Sequence, residues 1–400
     1  MSDQVVEAGL SPEGQAIIDT THRFARDVMR PAGIELDQMA DPADVIAPDS
    51  ILWDVHDKYR QLGVNQVSHI DEFSAEEVAL VMAMISEELG WGDSGLAISL
   101  SVATFTRRFA PLTGDTELIE RYASPNSTSI ACWAITEPDH GSDTLCYTEP
   151  SFADPAVKAN CIARRDGDDY VINGTKAAWV SNGTIADVAN LFCSIDGDGG
   201  FAKGGVCVVP LDLDGVSRGR PLDKLGQRAL PQGEIHFDNV RIPARWMVID
   251  PDAYTPMVEG VLASANAFMG TTFTGVARAA YELALEYARE RVQGGVPIAD
   301  HPAVRARLFK MFTDFEAARS LARRVAAMTA GGLPPIRYSI ASKTFCTRIG
   351  FEVASDALQI FGGNGLAREY PIEKLLRDAR ASMIEDGCNE MLSIVGGANL

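Results

Sequence analysis

Three short strings carry residue types from which a redox site can be built. Ile384-Glu385-Asp386-Gly387-Cys388 sets two acids before a glycine, ITEPDHGSD (135–143) sets Thr136 and Ser142 around Gly141, and IFGGNGLAREYPIEKLLRDAR (360–380) opens with glycines. A carboxylate such as Asp386 can take a proton from a carbon next to a carbonyl when it stands over that C–H bond. Gly141 lets the main chain approach a phosphate closely, and the hydroxyls of Thr136 and Ser142 can donate to a polar ring edge or a pyrophosphate oxygen. Trp179-Val180-Ser181-Asn182-Gly183 adds an aromatic plane beside a hydroxyl, a pair suited to covering a flat ring and hydrogen-bonding its edge.

Each string also has an ordinary reading. TEPDHGSD reads equally as a polar turn, and a tryptophan in a β run is usually core. Gln359 to Gly365 ends a long helix, where Gly362 and Gly363 can either cap it or offer N–H groups to an anion. Arg291 can pair with a phosphate or lie solvated at a helix C-terminus. Asp386 can be the N-cap of a helix beginning near Asn389. Arg107 and Arg108 are adjacent on a helix, so one at most faces inward, and a solvated pair is the default. His140 has no ligand partners at metal spacing, and no metal is expected.

The elements that must position these residues follow from patterning. A chain of 400 residues with 46% apolar content supports two or three domains. Residues 1–130 read as an α-helical N-terminal domain, with helices opening at Ser11 and Ser74. Residues 131–248 read as a middle β domain, from runs such as YVINGTKAAWVSNG, VANLFCSI, GVCVVPLDL and GEIHFDNVRI. Residues 249–400 read as an antiparallel helical bundle. Val304, Leu308, Met311, Phe315, Ala318, Leu321, Val325 and Met328 step by 3 or 4, predicting a helix over about 302–330, and a second is expected over about 336–359. The fold class is therefore α+β and multidomain. A net charge of −20 argues against nucleic acid and anionic membranes. Seven scattered cysteines suggest reduced thiols, and the first residues show neither a basic leader nor an apolar run, so a cytoplasmic protein is expected.

With these strings in order, the chain resembles the acyl-CoA dehydrogenase family from about Ser11 to its last residues. WAITEPDHGSD looks like that family's first flavin signature, DALQIFGGNGLAREYPIEKLLRDAR like its second, and VINGTKAAWVSNG like its tryptophan-bearing flavin loop. The resemblance implies an α-helical N-terminal domain, a β-barrel-like middle domain and a C-terminal four-helix bundle, with FAD, an acyl-CoA substrate, an electron-transfer flavoprotein as acceptor, and a homotetramer built as a dimer of dimers. It implies that Thr136, Gly141 and Ser142 contact flavin and pyrophosphate, that Trp179 and Ser181 contact the ring, and that Arg291, Gln359, Gly362 and Gly363 reach the FAD of a neighbouring subunit. The family base is a glutamate, matched here by Asp386; an alternative position on an earlier helix falls at about Ala265, which cannot serve.

Other departures accompany the shorter acid. Gly294 stands where many members have Phe, Cys388 and Glu390 where they have Thr and Gln after the base, and Asn266 where many have Arg. The resemblance therefore implies α,β-desaturation of an acyl-CoA with Asp386 as base. Two alternatives stay open: a flavin oxidase or lyase on the same scaffold, nitroalkane-oxidase-like or desulfinase-like, and a non-catalytic module that binds flavin or acyl-CoA. Glu385 also stays open as an alternative base.

Overall fold

A computed structural model describes residues 10–64, 67, 70, 72–197 and 199–400. The segment before Leu10, read above as lacking a leader, lies outside the described residues. The helices of the N-terminal part start where short polar side chains can satisfy orphan N–H groups. Ser11 accepts from the Gly14 N–H at 3.0 Å to open α1 (Pro12–Phe24). After α2 (Arg30–Gln38), Ser50 caps α3 (Ile51–Leu62) and Ser74 caps α4 (Ala75–Gly92). Asp93 and Asp115 cap α5 (Ser94–Ala103) and α6 (Thr116–Ala123). Arg107 and Arg108 fall just beyond α5, in a 3₁₀ turn from Phe105 to Arg108; Arg107 is half-buried and Arg108 exposed.

The middle of the chain is one eight-stranded sheet: β1 (Ala131–Ala134), β2 (Ile162–Asp166), β3 (Asp169–Lys176), β4 (Val188–Ile195), β5 (Gly204–Pro210), β6 (Val216–Arg218), β7 (Ile235–Pro243) and β8 (Met247–Ile249). Its order is β6-β7-β3-β2-β4-β5-β8, and β1 adds to β4 in parallel with Ala131 opposite Val188. The strands that patterning singled out are the long ones. By contrast β2, IARRD, exposes its last three residues and so never alternates. The run containing Trp179 is also shorter than the sequence suggests: β3 stops at Lys176, and Trp179 lies in the turn that follows. A turn frees the indole from the strand's in-and-out alternation.

Helices return with α7 (Pro251–Glu290), and a two-residue hairpin of β9 (Val292–Gln293) and β10 (Val296–Pro297) turns on Gly294 and Gly295, both at positive φ. Then come α8 (Pro302–Met328), α9 (Ile336–Phe361), α10 (Ile372–Ser382) and α11 (Asn389–Ala398). On α8 the expected stripe buries Leu308, Met311, Phe315, Ala318 and Val325, whereas Val304, Leu321 and Met328 are only half-buried.

One helical core runs from Ile18 on α1 to Ala379 on α10, although the whole sheet intervenes in sequence. Two glycines set the closest approach within it. A Cβ on Gly90 of α4 would collide with the Thr272 carbonyl of α7, and one on Gly275 of α7 would collide with the Glu87 carbonyl of α4. Beside this contact Arg278 bridges Glu87 at 2.8 Å and Glu88 at 2.6 Å, while Arg319 reaches Glu87 at 2.9 Å and Arg323 at 3.2 Å. A second core lies within the sheet, and a third joins the sheet to α7, α9 and α11.

Candidate active site

Between α10 and α11 the chain makes a turn with two consecutive left-handed residues, Asp386 at φ 53° and Gly387 at φ 89°. Glycine adopts this region freely, whereas for a residue with a Cβ it persists only where surrounding contacts over-determine it. Those contacts are present. Glu385 N–H bonds the Ala381 carbonyl at 3.2 Å and Asn389 N–H bonds the Met383 carbonyl at 3.0 Å. Lys343 Nζ on α9 donates to the Gly387 carbonyl at 2.8 Å, and Cys388 N–H donates to Ser142 Oγ at 3.0 Å. Cys388 occupies the N-cap position of α11 with no side-chain cap bond, so Asp386 is not a helix cap.

The Ser142 contact closes a circuit of hydrogen bonds through four distant segments. The 136–142 loop meets the tryptophan turn where Ala177 N–H donates to the Thr136 carbonyl at 2.9 Å. The tryptophan turn meets the 222–232 loop where Gln232 Nε2 donates to the Trp179 carbonyl at 3.1 Å, close also to Ser181 Oγ. That loop meets the acid turn where Gln227 Nε2 donates to Glu385 Oε1 at 2.6 Å. Deeper supports hold the corners: buried Lys176 pairs with Glu137 at 2.7 Å, and Lys224 Nζ holds Gln232 Oε1 at 2.7 Å. Asn182, buried at positive φ, donates to the Ser99 carbonyl at 2.9 Å and ties the tryptophan turn to α5. Thr136, Ser142, Trp179, Ser181, Cys388 and Asp386, scattered over 250 residues of sequence, are thus brought to one frame.

Within the frame the two acids have different neighbours. Burial raises Asp386 to about 6, with Lys343 pulling it back. Burial and then the charge of Asp386 raise Glu385 to about 7, against Gln227, Lys343 and Lys224. Lys343 is itself lowered to about 8 by burial, against the pull of Asp386, Glu385, Cys388 and Glu390. Lys224 is lowered to about 7 by burial, opposed by Glu385 and Asp378. A carboxyl that titrates near neutrality can both take and release a proton, which is what a base that turns over requires. Glu385 is committed to Gln227, which leaves Asp386 the less encumbered of the two. Among the described residues the N–H groups of Asp386 and Gly387 have no backbone partner.

Arg291, Gln359, Gly362 and Gly363 are not part of this frame. All four are exposed, and they gather where the C-terminal ends of α7 and α9 meet, with Tyr287 stacked on Phe361 at 4.1 Å. Sixteen residues of α9 separate Gln359 from Lys343, a span of roughly 24 Å. Glu390 is exposed in the first turn of α11, beyond the turn itself. Reasoning from sequence passed over Gln227, Gln232 and Lys343. Lys343 had a signal: it lies three residues after Ile340 and four before Thr347, on the stripe that α9 buries.

The residues present fit a flavin dinucleotide. Trp179 is 58% exposed beside the half-buried Thr136 and Ser181, an aromatic plane lacking a cover. A Cβ added to Gly141 would meet nothing within 4 Å, so the 136–142 loop presents open main chain, and Ser142, whose oxygen accepts from Cys388, keeps its O–H to donate.

Residues 132–240 match the family model for the acyl-CoA dehydrogenase middle domain, and residues 257–400 match that for the acyl-CoA dehydrogenase C-terminal domain. The chain is 29% identical over 396 residues to cyclohex-1-ene-1-carbonyl-CoA dehydrogenase of Geobacter metallireducens, covering 98% of each chain. It is 30% identical over 323 residues to the enzyme of the same name from Syntrophus aciditrophicus, covering 80% of this chain and 75% of that one. Butyryl-CoA dehydrogenase from Megasphaera elsdenii superposes with a TM-score of 0.84 at 25% identity, covering 98% of both chains. The fold and these matches define an oxidoreductase of the acyl-CoA dehydrogenase class. The chain belongs to the acyl-CoA dehydrogenase family, whose members are FAD flavoproteins.

Proposed function

We propose that this protein desaturates an acyl-CoA at the α,β-position, with Asp386 as the base, FAD as its cofactor and an electron-transfer flavoprotein as acceptor. The observation that carries the reading is the closed hydrogen-bond frame, because it sets an acid poised near neutrality among the same loops that offer an exposed indole, two hydroxyls and an open glycine. Asp386 takes the α-proton, and the N–H groups of Asp386 and Gly387 are free to stabilise charge growing on the thioester oxygen. Bound FAD would supply the acceptor for the β-hydride. Thr136, Gly141 and Ser142 would hold its phosphates and ring edge, Trp179 and Ser181 would flank the ring, and Cys388 and Glu390 would stand near its adenosine half.

Because Arg291, Gln359, Gly362 and Gly363 sit far along the bundle, we place them on the cofactor of a second copy, in a dimer of dimers. Phe309 and Phe312, exposed on α8, are suited to burial in such an assembly. We place the domain boundaries near residues 130 and 250, and the protein in the cytoplasm, in keeping with its seven free cysteines. The similarity to cyclohexene-carbonyl-CoA dehydrogenases makes a cyclic acyl group the first to try.

Anaerobic titration of the purified yellow protein with a thioester library tests the reading. At least one acyl-CoA should bleach the flavin, and the Asp386→Asn protein should keep its colour but resist bleaching. Rapid reoxidation by air with peroxide release would favour an oxidase instead, and a flavin that no thioester bleaches would favour a non-catalytic module.

A further inference from the structure

A buried cation supports the acid turn from α9. Lys343 is wholly buried in the middle of α9, on the face turned toward α11. Its ammonium donates to the Gly387 carbonyl at 2.8 Å and to Asn389 Oδ1 at 2.9 Å, so one group grips the turn on both sides of Cys388. Asn389 is fixed in its own right, bonding Thr347 Oγ1 at 3.1 Å and lying near the Thr344 carbonyl. Both protein acceptors of Lys343 are neutral. A buried ammonium that spends its donors on carbonyl-type oxygens keeps its full charge available to the nearest carboxylate. Asp386, one residue before the gripped carbonyl, is the carboxylate that acts on the lysine most strongly, and Glu385, Cys388 and Glu390 complete the groups that face it. On the far side Glu385 is engaged by Gln227 and Lys224, so the pull on Asp386 comes from α9.

The geometry points to Lys343 as a positioning residue for the reaction, which holds the left-handed Asp386–Gly387 turn in shape and supplies the counter-charge that keeps Asp386 ionised and ready to accept a proton. This rests on the reading of Asp386 as base. A strut is needed here because the turn carries a left-handed residue with a side chain, and because an aspartate lacks the reach to compensate for a displaced backbone. Displacement of a catalytic group by about 1 Å is enough to cost on the order of a hundredfold in rate. Among the described residues Lys343 makes no hydrogen bond with the 136–142 loop or the tryptophan turn, and reaches the former only through the Cys388 N–H to Ser142 bond.

Three variants separate shape from charge. Lys343→Gln keeps a donor without the charge, Lys343→Met removes both, and Asn389→Ala removes one acceptor from the lysine without touching its charge. Each is purified with its cofactor, checked for an unchanged flavin spectrum and far-ultraviolet circular dichroism, and assayed for flavin reduction from pH 5 to 9. Lys343→Gln should move the acidic limb of kcat upward by about one pH unit while KM for the thioester changes little, because a nearby positive charge typically shifts a carboxyl by 1–3 units. Lys343→Met should show that shift together with a fall in kcat of on the order of tenfold or more at every pH. Asn389→Ala should lower kcat with the limb in place, and it supplies the reading if Lys343→Met fails to fold. A Lys343→Gln enzyme with the parent's pH profile would overturn the counter-charge, and parent-like kcat in both Lys343→Met and Asn389→Ala would overturn the strut. Asp386→Asn, run in parallel, tells these failures from failure of the underlying reading: it must be inactive for Asp386 to be the base at all.

Discussion

Two acid pairs stand on successive residues of this chain, the buried Glu87–Glu88 between α4 and the bundle and the half-buried Glu385–Asp386 between α10 and α11, and Glu88 and Asp386 shift in opposite directions. Burial pushes Glu88 up, but Arg278 and His22 overcome it and bring it down to about 2. Burial pushes Asp386 up to about 6 and meets only Lys343. The difference lies in the partners. Arg278 forks directly onto carboxylate oxygens, as do Arg319 and Arg323, whereas Lys343 spends its donors on a main-chain carbonyl and an amide. Guanidinium contacts fix the charge of Glu88 and hold Glu87 in place, so the first pair works as a joint. The second pair is left with protons that can move, which is the condition for chemistry.

The comparison can be broken at either end. Asp386→Asn should lower the rate of flavin reduction by ~10² to 10⁴-fold, the range a positioned base contributes, with the flavin retained. Parent-like turnover would show that the second pair is as inert as the first. Arg278→Met should act the other way, costing about 3–5 kcal/mol of unfolding free energy by removing the one guanidinium that Glu87 and Glu88 share and leaving Glu88 to His22, yet leaving the pH dependence of turnover in place. Denaturant melts and the rate profile together check it, and a shift of the acidic limb would mean that the two pairs are coupled.

The pH dependence sharpens the contrast further. Turnover needs ionised Asp386 and should rise with pH through about 6. For stability the sign is reversed. A carboxyl whose folded value is raised contributes stability that is present below its unfolded value, near 4, and is lost as pH rises through about 6; Glu88 contributes stability that is lost as pH falls through about 2. The melting temperature of Asp386→Asn relative to the parent should therefore climb between pH 4 and 7, and a flat difference would remove Asp386 from the titration. The smallest effect is expected from Glu385→Gln. It can still accept from Gln227, so turnover should stay within the parent's order of magnitude, and a loss matching that of Asp386→Asn would exchange the roles of the two acids.

Much of this was legible in sequence because the informative residues break local rules. The glycines of 362–365, the acids before Gly387 and the TEPDHGSD turn stand out from their surroundings, and the long helices show their period. The sheet was legible at β4 and β5, whose apolar runs are buried almost throughout, and illegible at β2, whose outer end is solvated, and at Trp179, where the strand stops early. Gln227 and Gln232 left no trace, since a glutamine in a loop looks the same whether it holds an acid or faces water. Lys343 and Lys176 were hidden for another reason. Lysine is read as surface, and only the period of α9 and the alternation of β3 place these two inside. What joins residues 142 to 388 or 227 to 385 is tertiary, and no local pattern encodes it.

The mutual notch of Gly90 and Gly275 has a further consequence, for biogenesis. Since the core that holds α1 and α4 is completed by α7, α9 and α10, the helices up to α5 cannot bury the faces they turn to the bundle until α7 has been made. Those early helices must wait through synthesis of the entire sheet with apolar flanks uncovered, the interval in which a nascent chain is most exposed to aggregation and in greatest need of a chaperone.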